Sequence, residues 1–198
     1  MGIYKYIAKA WEKPKELGDL WYERLVQWRA EEPTLRIDHP TRLDRARALG
    51  FKAKPGFLIV RQRIERGGHV RERIQGGRVP RKFGVRMNLE QNYQWICEQR
   101  AARRFPNCEV LNSYWVAKDG TYYWYEIIMV DKAHPAVLAD KNTKWIAKPA
   151  NRRRVFRGLT SAAKKSRGLR NKGLGAEKAR PSKGKAANRK HQKFGFGA

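Results

Sequence analysis

The sequence predicts an α+β domain built around a small mixed or antiparallel sheet, with a long basic extension lying outside that core. Three observations lead there. Residues 15–30 and 89–105 repeat apolar side chains at helical spacing. Residues 108–131 hold two aromatic and β-branched runs about an Asp119-Gly120 pair, which is the signature of a β-hairpin. Charge is also unevenly placed: of a formal net +27, the stretch from Arg152 onward carries sixteen Lys or Arg against one acid, Glu177.

"IYKYIAKAW" reads as a short helix interrupted at Pro14, followed by a second helix to about Trp28. Leu17, Trp21, Leu25 and Trp28 recur at three- and four-residue intervals and read as a core stripe. In "TRLDRARALGFKAKPG", residues 41–56, Thr41 is placed to cap a short helix and Gly50 to end it in the left-handed conformation. Arg42, Arg45, Lys52 and Lys54 crowd this element with only Asp38 and Asp44 nearby, which favours phosphate contact.

"GFLIVRQRIER" begins as a buried strand, Phe57 to Val60. It then alternates Arg61 and Arg63 on one face with Gln62 and Ile64 on the other, as if leaving the core for something negative. Residues 66–86 form a Gly/Arg-rich loop or loose hairpin, mobile on its own, with Arg66, Arg71, Arg73, Arg78, Arg81 and Lys82 as candidate contacts to a polyanion. The next helix is expected to start at Asn88 with Gln91 completing a capping box. Leu89, Tyr93, Ile96, Cys97 and Ala101 share one face, and Pro106 marks its end. The second hairpin strand is apolar on both faces, so layers should cover the sheet from more than one side. All seven tryptophans fall before residue 150. The expected division is a globular domain at 1–150 and an extended basic tail at 151–198.

A net charge this large opposes compaction unless a polyanion screens it. A membrane surface would want an apolar stripe beside the charge, and the tail has none. No apolar run approaches the roughly 20 residues needed to span a bilayer. The start "MGIYKYIAKAW" lacks signal-peptide architecture, and Tyr6 breaks the myristoylation pattern after Gly2. A soluble protein with a nucleic-acid partner is the expectation. Cys97 and Cys108 have neither C-x-x-C spacing nor a histidine cluster and read as reduced, buried thiols.

Enzyme signals are weak. Asp131, His134 and Asp140 suggest an acid–base or metal set, but without a third histidine or a recognised metal spacing they read as a structural turn capped by Asp131. In "GLGAEKARPSKGKA", Ala186 stands where a phosphate-binding loop needs a hydroxyl for magnesium. No catalytic residues are expected.

The segment "RRRVFRGLTSAAKKSRGLRNKGLG", residues 152–175, carries nine Lys or Arg and no acid, with one Phe, one Val and three Leu. Arg152, Arg153, Arg154, Arg157, Lys164, Lys165, Arg167, Arg170 and Lys172 can grip phosphates, arginines as planar forks and lysines as point charges. Gly158 and Gly168 allow close backbone approach, while Thr160 and Ser161 add hydroxyls for phosphate or ribose. Such a segment is expected to be disordered alone and ordered on RNA. If about ten cations each neutralise a phosphate, affinity should follow a log–log salt slope of roughly −7 to −9.

"YKYIAKAW" (4–11), "RARALGFKAKPG" (45–56), "VLNSYWV" (110–116), "TKWIAKP" (143–149) and "RGLTSAAKKSRGL" (157–169) occur together and in order. Through them the chain, from residue 3 to about 170, resembles the archaeal and eukaryotic large-subunit ribosomal protein family L-fifteen-e, which is unrelated to the bacterial protein fifteen. The resemblance implies a four-stranded antiparallel sheet layered with helices, the strand not evident above lying in Val70 to Ile74. It implies RNA-threading extensions, with Arg157, Gly158, Thr160, Ser161, Lys164, Lys165, Arg167 and Gly168 at the RNA and Arg45, Arg47, Lys52 and Lys54 as a second patch. Implied partners are the large-subunit ribosomal RNA and neighbouring large-subunit proteins. The implication includes no membrane, no small-molecule substrate, no homo-oligomer, and no cofactor beyond magnesium or monovalent ions shared with the RNA. The role would be structural, in the cytoplasm, within the large ribosomal subunit.

Two rivals share the charge. A DNA-compacting, chromatin-type protein would usually be rich in lysine and alanine, whereas this chain has 25 Arg to 20 Lys and a Trp/Tyr-rich core. An RNA-processing enzyme with a basic tail would need the catalytic set that the sequence does not display.

Overall fold

The computed structural model describes residues 2–68, 76–77 and 90–193. Helices α1 (Ile3–Ala10) and α2 (Asp19–Ala30) lead into strand β1 (Thr34–Ile37), helix α3 (Leu43–Ala48) and strand β2 (Phe57–Glu65). Helix α4 (Tyr93–Arg104) precedes the hairpin β3 (Cys108–Lys118) and β4 (Tyr122–Asp131). Short helices α5 (Pro135–Ala139) and α6 (Ser161–Ser166) and a final helix α7 (Lys183–Lys193) complete the order. The strands form one antiparallel sheet in the order β1-β2-β4-β3. The expected α+β class and four-stranded antiparallel sheet are both present.

Alternation along β4 sorts its side chains into two cores. Ile127 and Met129 meet Val60 and Ile64 of β2 and Trp95, Cys97 and Ala101 of α4. Trp124 and Ile128 face the other way, toward Trp21, Leu25 and Trp28 of α2 and Ala46 of α3. Each large side chain so buried contributes about 2 kcal/mol relative to exposure. The sheet is thus the middle of three layers, as the doubly apolar β4 predicted. Val137 and Ile146 cover the end of β4 at Val130.

Several local expectations shift. The fourth strand is Thr34–Ile37, paired with Ile37 opposite Ile59; residues 70–74, where it was sought, lie outside the described residues. Leu17 is exposed, because a 3-10 turn at Pro14–Leu17 and a break at Gly18 take it off the face that carries Trp21. Helix α4 is capped by Asn92, whose side-chain Oδ1 accepts the Trp95 N–H at 2.8 Å; Asn88 and Leu89 lie outside the described residues. Thr41 caps nothing. Its N–H and hydroxyl both donate to the buried Glu126 carboxylate, and α3 begins after Arg42. The other end of α3 follows the expectation: Gly50 sits at φ 101° while Phe51 N–H reaches Ala46 C=O at 2.9 Å and Gly50 N–H reaches Arg47 C=O at 3.1 Å.

The core does not stop at residue 150. Val155, Ala162 and Ala163 are buried in the same cluster as Trp95 and Met129, with Phe156 packed at its edge. Counting Val, Phe and Leu underrates this segment, because two adjacent alanines let α6 lie close against α4. Residues 152–170 are therefore a folded strap rather than a free extension. Leu174, by contrast, is fully exposed.

Candidate nucleic-acid interface

The strap docks through uncharged donors and one guanidinium, that of Arg154, and through no ion pair among the described residues. Trp95 Nε1–H donates to Val155 C=O at 2.8 Å, and Asn92 Nδ2–H to Ala162 C=O at 3.1 Å. Thr160 begins α6, accepting the Ala163 N–H, and its hydroxyl donates at 2.5 Å to Glu98 of α4. Glu98 is fully buried and also accepts from Ser113 Oγ at 2.5 Å. Burial pushes the Glu98 carboxyl above its ordinary range, with the Ser113 and Thr160 hydroxyls opposing the rise. A second buried carboxylate, Glu109, accepts the main-chain N–H of Arg153 at 2.8 Å. Two acids thus hold the strap without using a guanidinium or an ammonium.

Among the described residues, none of the nine Lys and Arg in 152–172 forms an ion pair. Arg154 belongs to the fold: its Nη1 donates to Val110 C=O at 2.6 Å and Leu111 C=O at 3.1 Å, and its guanidinium lies 5.1 Å from the Trp145 ring. Arg167 donates to Gly158 C=O at 2.9 Å and Arg157 to Ala150 C=O, both fixing turns. Gly158 is buried at φ 69°, where a Cβ would come within 2.8 Å of Arg167 Cδ, so its role is inward. Thr160 is inward too. Arg152, Arg153, Lys165, Arg170 and Lys172 are exposed, as is Ser161, and Lys164 is half-buried. Gly168 is half-buried at φ 73°, where the chain turns after α6.

The α3 region answers its charge differently. Lys52 and Lys54 both hold Asp140, each at 2.6 Å, and draw its carboxyl well below the usual carboxylate range. Arg42 pairs with Asp44 at 3.4 Å and lies 5.1 Å over Trp11. Arg45 and Arg47 stay exposed, Arg47 beside the Tyr4 ring at 5.9 Å. On β2, Arg61 is buried against Trp28 and pairs with Glu31, so its anion lies within the chain. Arg63 donates to Arg29 C=O and Arg66 to Asp119 C=O, stacked on Tyr122 and Tyr123 at 4.6 and 5.1 Å. Arg71, Arg73, Arg78, Arg81 and Lys82 lie outside the described residues.

The family model described as Ribosomal L15 matches residues 2–186. The chain belongs to that family. Three archaeal relatives, each named "Large ribosomal subunit protein eL15", match along nearly their whole length. The one from Methanocella arvoryzae is 51% identical over 182 residues, 90% of this chain and 93% of its own. Those from Picrophilus torridus and Nanoarchaeum equitans are 50% and 51% identical over 185 residues, 92% of this chain and 95% and 97% of theirs. The family match takes in the strap, so its docking bonds lie within the matched region.

The turn after β4 is structural. Asp131 accepts the Ala133 N–H at 2.9 Å, His134 Nδ1 accepts the Ala136 N–H at 3.2 Å, and Asp140 is taken by its lysines. Among the described residues no three His, Cys, Asp or Glu side chains gather to hold a metal, and no helix is long and apolar enough to cross a membrane. Both cysteines are free thiols; Cys97 is buried, while Cys108 is half-buried with its pKa pushed up to about 11 by burial.

Sequence reasoning missed Arg103 and Lys132. With Arg152, Arg153 and Phe156 they line one cavity of about 350 Å³ beside the end of α4. The Arg103-Arg104 pair closing an amphipathic helix was the available signal. It also missed a contrast at the N-terminus, where the first 32 residues hold six basic and six acidic side chains. Seven large apolar residues there are exposed, Ile3, Tyr6, Leu20 and Val26 most of all.

Proposed function

We propose that this protein is a structural constituent of the large ribosomal subunit, laid against its ribosomal RNA and acting by charge neutralisation without turnover. The observation that carries the proposal is the strap: Arg154, Arg157 and Arg167 help to hold it through main-chain carbonyls, and none of its nine cations has an ion-pair partner among the described residues. RNA helices repel through their phosphates, and an ordered row of guanidinium and ammonium groups lets them pack closely. Contacts should be to backbone and shape, because the A-form major groove is too narrow for side-chain readout. On this reading Arg45, Arg47, Arg152, Arg153, Arg157, Lys164, Lys165, Arg170 and Lys172 meet phosphates. Ser161 offers a hydroxyl, and Arg63 and Arg66 extend the surface; Arg71, Arg73, Arg78, Arg81 and Lys82 are further proposed RNA contacts on their charge alone. The charge-balanced apolar face of α1 and α2 is suited to a neighbouring protein of the same subunit.

Sedimentation of cell extract, with and without ribonuclease, tests the assignment. Co-migration with the large subunit that is lost on RNA digestion supports it, and absence from salt-washed large subunits refutes it. Binding to ribosomal RNA and to duplex DNA at matched salt separates it from a chromatin-type role; equal affinity would favour the latter.

A further inference from the structure

We propose that Arg103, Arg152, Arg153 and Lys132 form a preorganised clamp for a single RNA phosphodiester, with Phe156 as the post that aims the arginines. This rests on the RNA-binding reading above. Its new content is the site, the one-phosphate stoichiometry and the role of the ring.

The cavity is bounded by the end of α4, the start of β3, the residue after β4 and the strap. Three of these, the end of α4, the residue after β4 and the strap, bring their cations to one concavity. Arg103 and Arg153 lie 5.8 and 5.3 Å from the same Phe156 ring, an arrangement that restrains two otherwise flexible guanidiniums. Arg153 does so from an uncommon backbone: among the described residues it is the one non-glycine in the left-handed region, at φ 52°. Bonds at both ends hold it there. Its N–H donates to Glu109 at 2.8 Å and its C=O accepts the Phe156 N–H at 3.1 Å. A strained conformation persists where the surroundings over-determine it, and such positions concentrate at binding sites.

The electrostatic balance favours an anion. Glu109 also lines the cavity, but it is buried and already accepts the Arg153 amide. Asp131, next to Lys132, turns its Oδ1 toward the Ala133 N–H. Four cations therefore face the opening against one occupied carboxylate, and none of the four has an ion-pair partner among the described residues. The α4 macrodipole adds partial negative charge at this end, which Arg103 and Arg104 offset. Two arginine forks restrained against one ring at one concavity can share the tetrahedral oxygens of a single phosphate.

The test uses the full chain and a large-subunit ribosomal RNA transcript, with affinity measured across a salt series. R103Q/R153Q should weaken binding and flatten the log–log salt slope by about 1, the value for one lost phosphate contact. F156L keeps every charge and an apolar side chain of similar reach, and should weaken binding about fivefold by freeing the guanidiniums, whereas F156Y should bind like the parent. Cys108, which lines the same cavity, gives an independent readout: RNA should slow its alkylation in the parent chain but not in R103Q/R153Q. A slope change near 2, parental affinity in F156L, or Cys108 reactivity unaffected by RNA would each overturn the clamp while leaving RNA binding intact. A parent chain that does not bind the transcript overturns both readings.

Discussion

The two basic regions that stand out in the sequence, the α3 patch and the strap, manage their charge in opposite ways. Around α3, carboxylates meet cations directly: Asp140 takes Lys52 and Lys54, and Asp44 takes Arg42. In the strap, the available carboxylates are taken by a hydroxyl and a main-chain amide, at Thr160 and Arg153. The first arrangement neutralises charge inside the protein. The second fixes a charged segment in place and leaves the charge for a partner. A buried acid surrounded by bases need not form a salt bridge, since hydrogen bonds from neutral donors satisfy its oxygens without bringing a second ion out of water. Glu126 repeats the device. It is fully buried, and Thr41 and Tyr114 serve it with hydroxyl groups although Arg61 stands opposite in the strand register.

The largest expected effect breaks the strap's docking. T160A removes the α6 cap and one donor to the buried Glu98, and should destabilise the chain by about 2–3 kcal/mol in denaturant unfolding. K164Q/K165Q/K172Q should do the reverse. Its stability should stay within about 0.5 kcal/mol of the parent, while the salt slope of RNA binding flattens by about 2 to 3. If the triple variant instead unfolds easily, those cations serve the fold and the contrast fails.

A smaller effect sharpens the α3 side. D140N releases Lys52 and Lys54 from an acid whose carboxyl is held well below its ordinary range. If that acid withholds the lysines from phosphate, D140N should steepen the salt slope by about 1 to 2. An unchanged slope would place both lysines away from the RNA. The parent's ion pairs should also persist through mild acid. A depressed folded pKa contributes stability above the unfolded value and loses it only as pH falls through the folded one.

The smallest effect concerns Glu98. Its folded pKa is raised by burial, so between the unfolded and folded values the native chain binds more protons and stability falls as pH rises. E98Q abolishes that dependence. The parent should therefore lose stability relative to E98Q as pH rises above the ordinary carboxylate range. A parent that gains on E98Q as pH rises would mean that Glu98 is stabilised as an anion.

Much of this contrast was hidden in one dimension. The hairpin was legible because strand periodicity, aromatic content and Asp-Gly are local signals, and β3 and β4 run where they point. So was the end of α3, where a single glycine decides the turn. Strand β1 was missed because its four residues, Thr34–Ile37, are too few to show a period and gain their order from β2. The strap was read as free because its apolar content is alanine and one valine, and alanine announces close packing only when its partner surface is known. For the candidate interface, residue type located the charge but could not sort it. Arg61, Arg154 and Arg157 look alike in sequence, and only the Glu31 carboxylate, the Val110 carbonyl and the Ala150 carbonyl tell them apart. Arg103 and Lys132 were passed over because their neighbours come from elements far along the chain.

The most direct measurement is amide hydrogen exchange in the RNA-free protein at about 50 and 500 mM salt, read at Arg153, whose N–H donates to Glu109 of β3, and at Phe156, Lys164 and Arg167, whose N–H groups are bonded within the folded strap. Docking by neutral donors predicts protection at all four amides that does not fall when salt rises, since no ion pair is there to screen. Exchange at unfolded-chain rates without RNA, or protection lost on adding salt, would contradict the account.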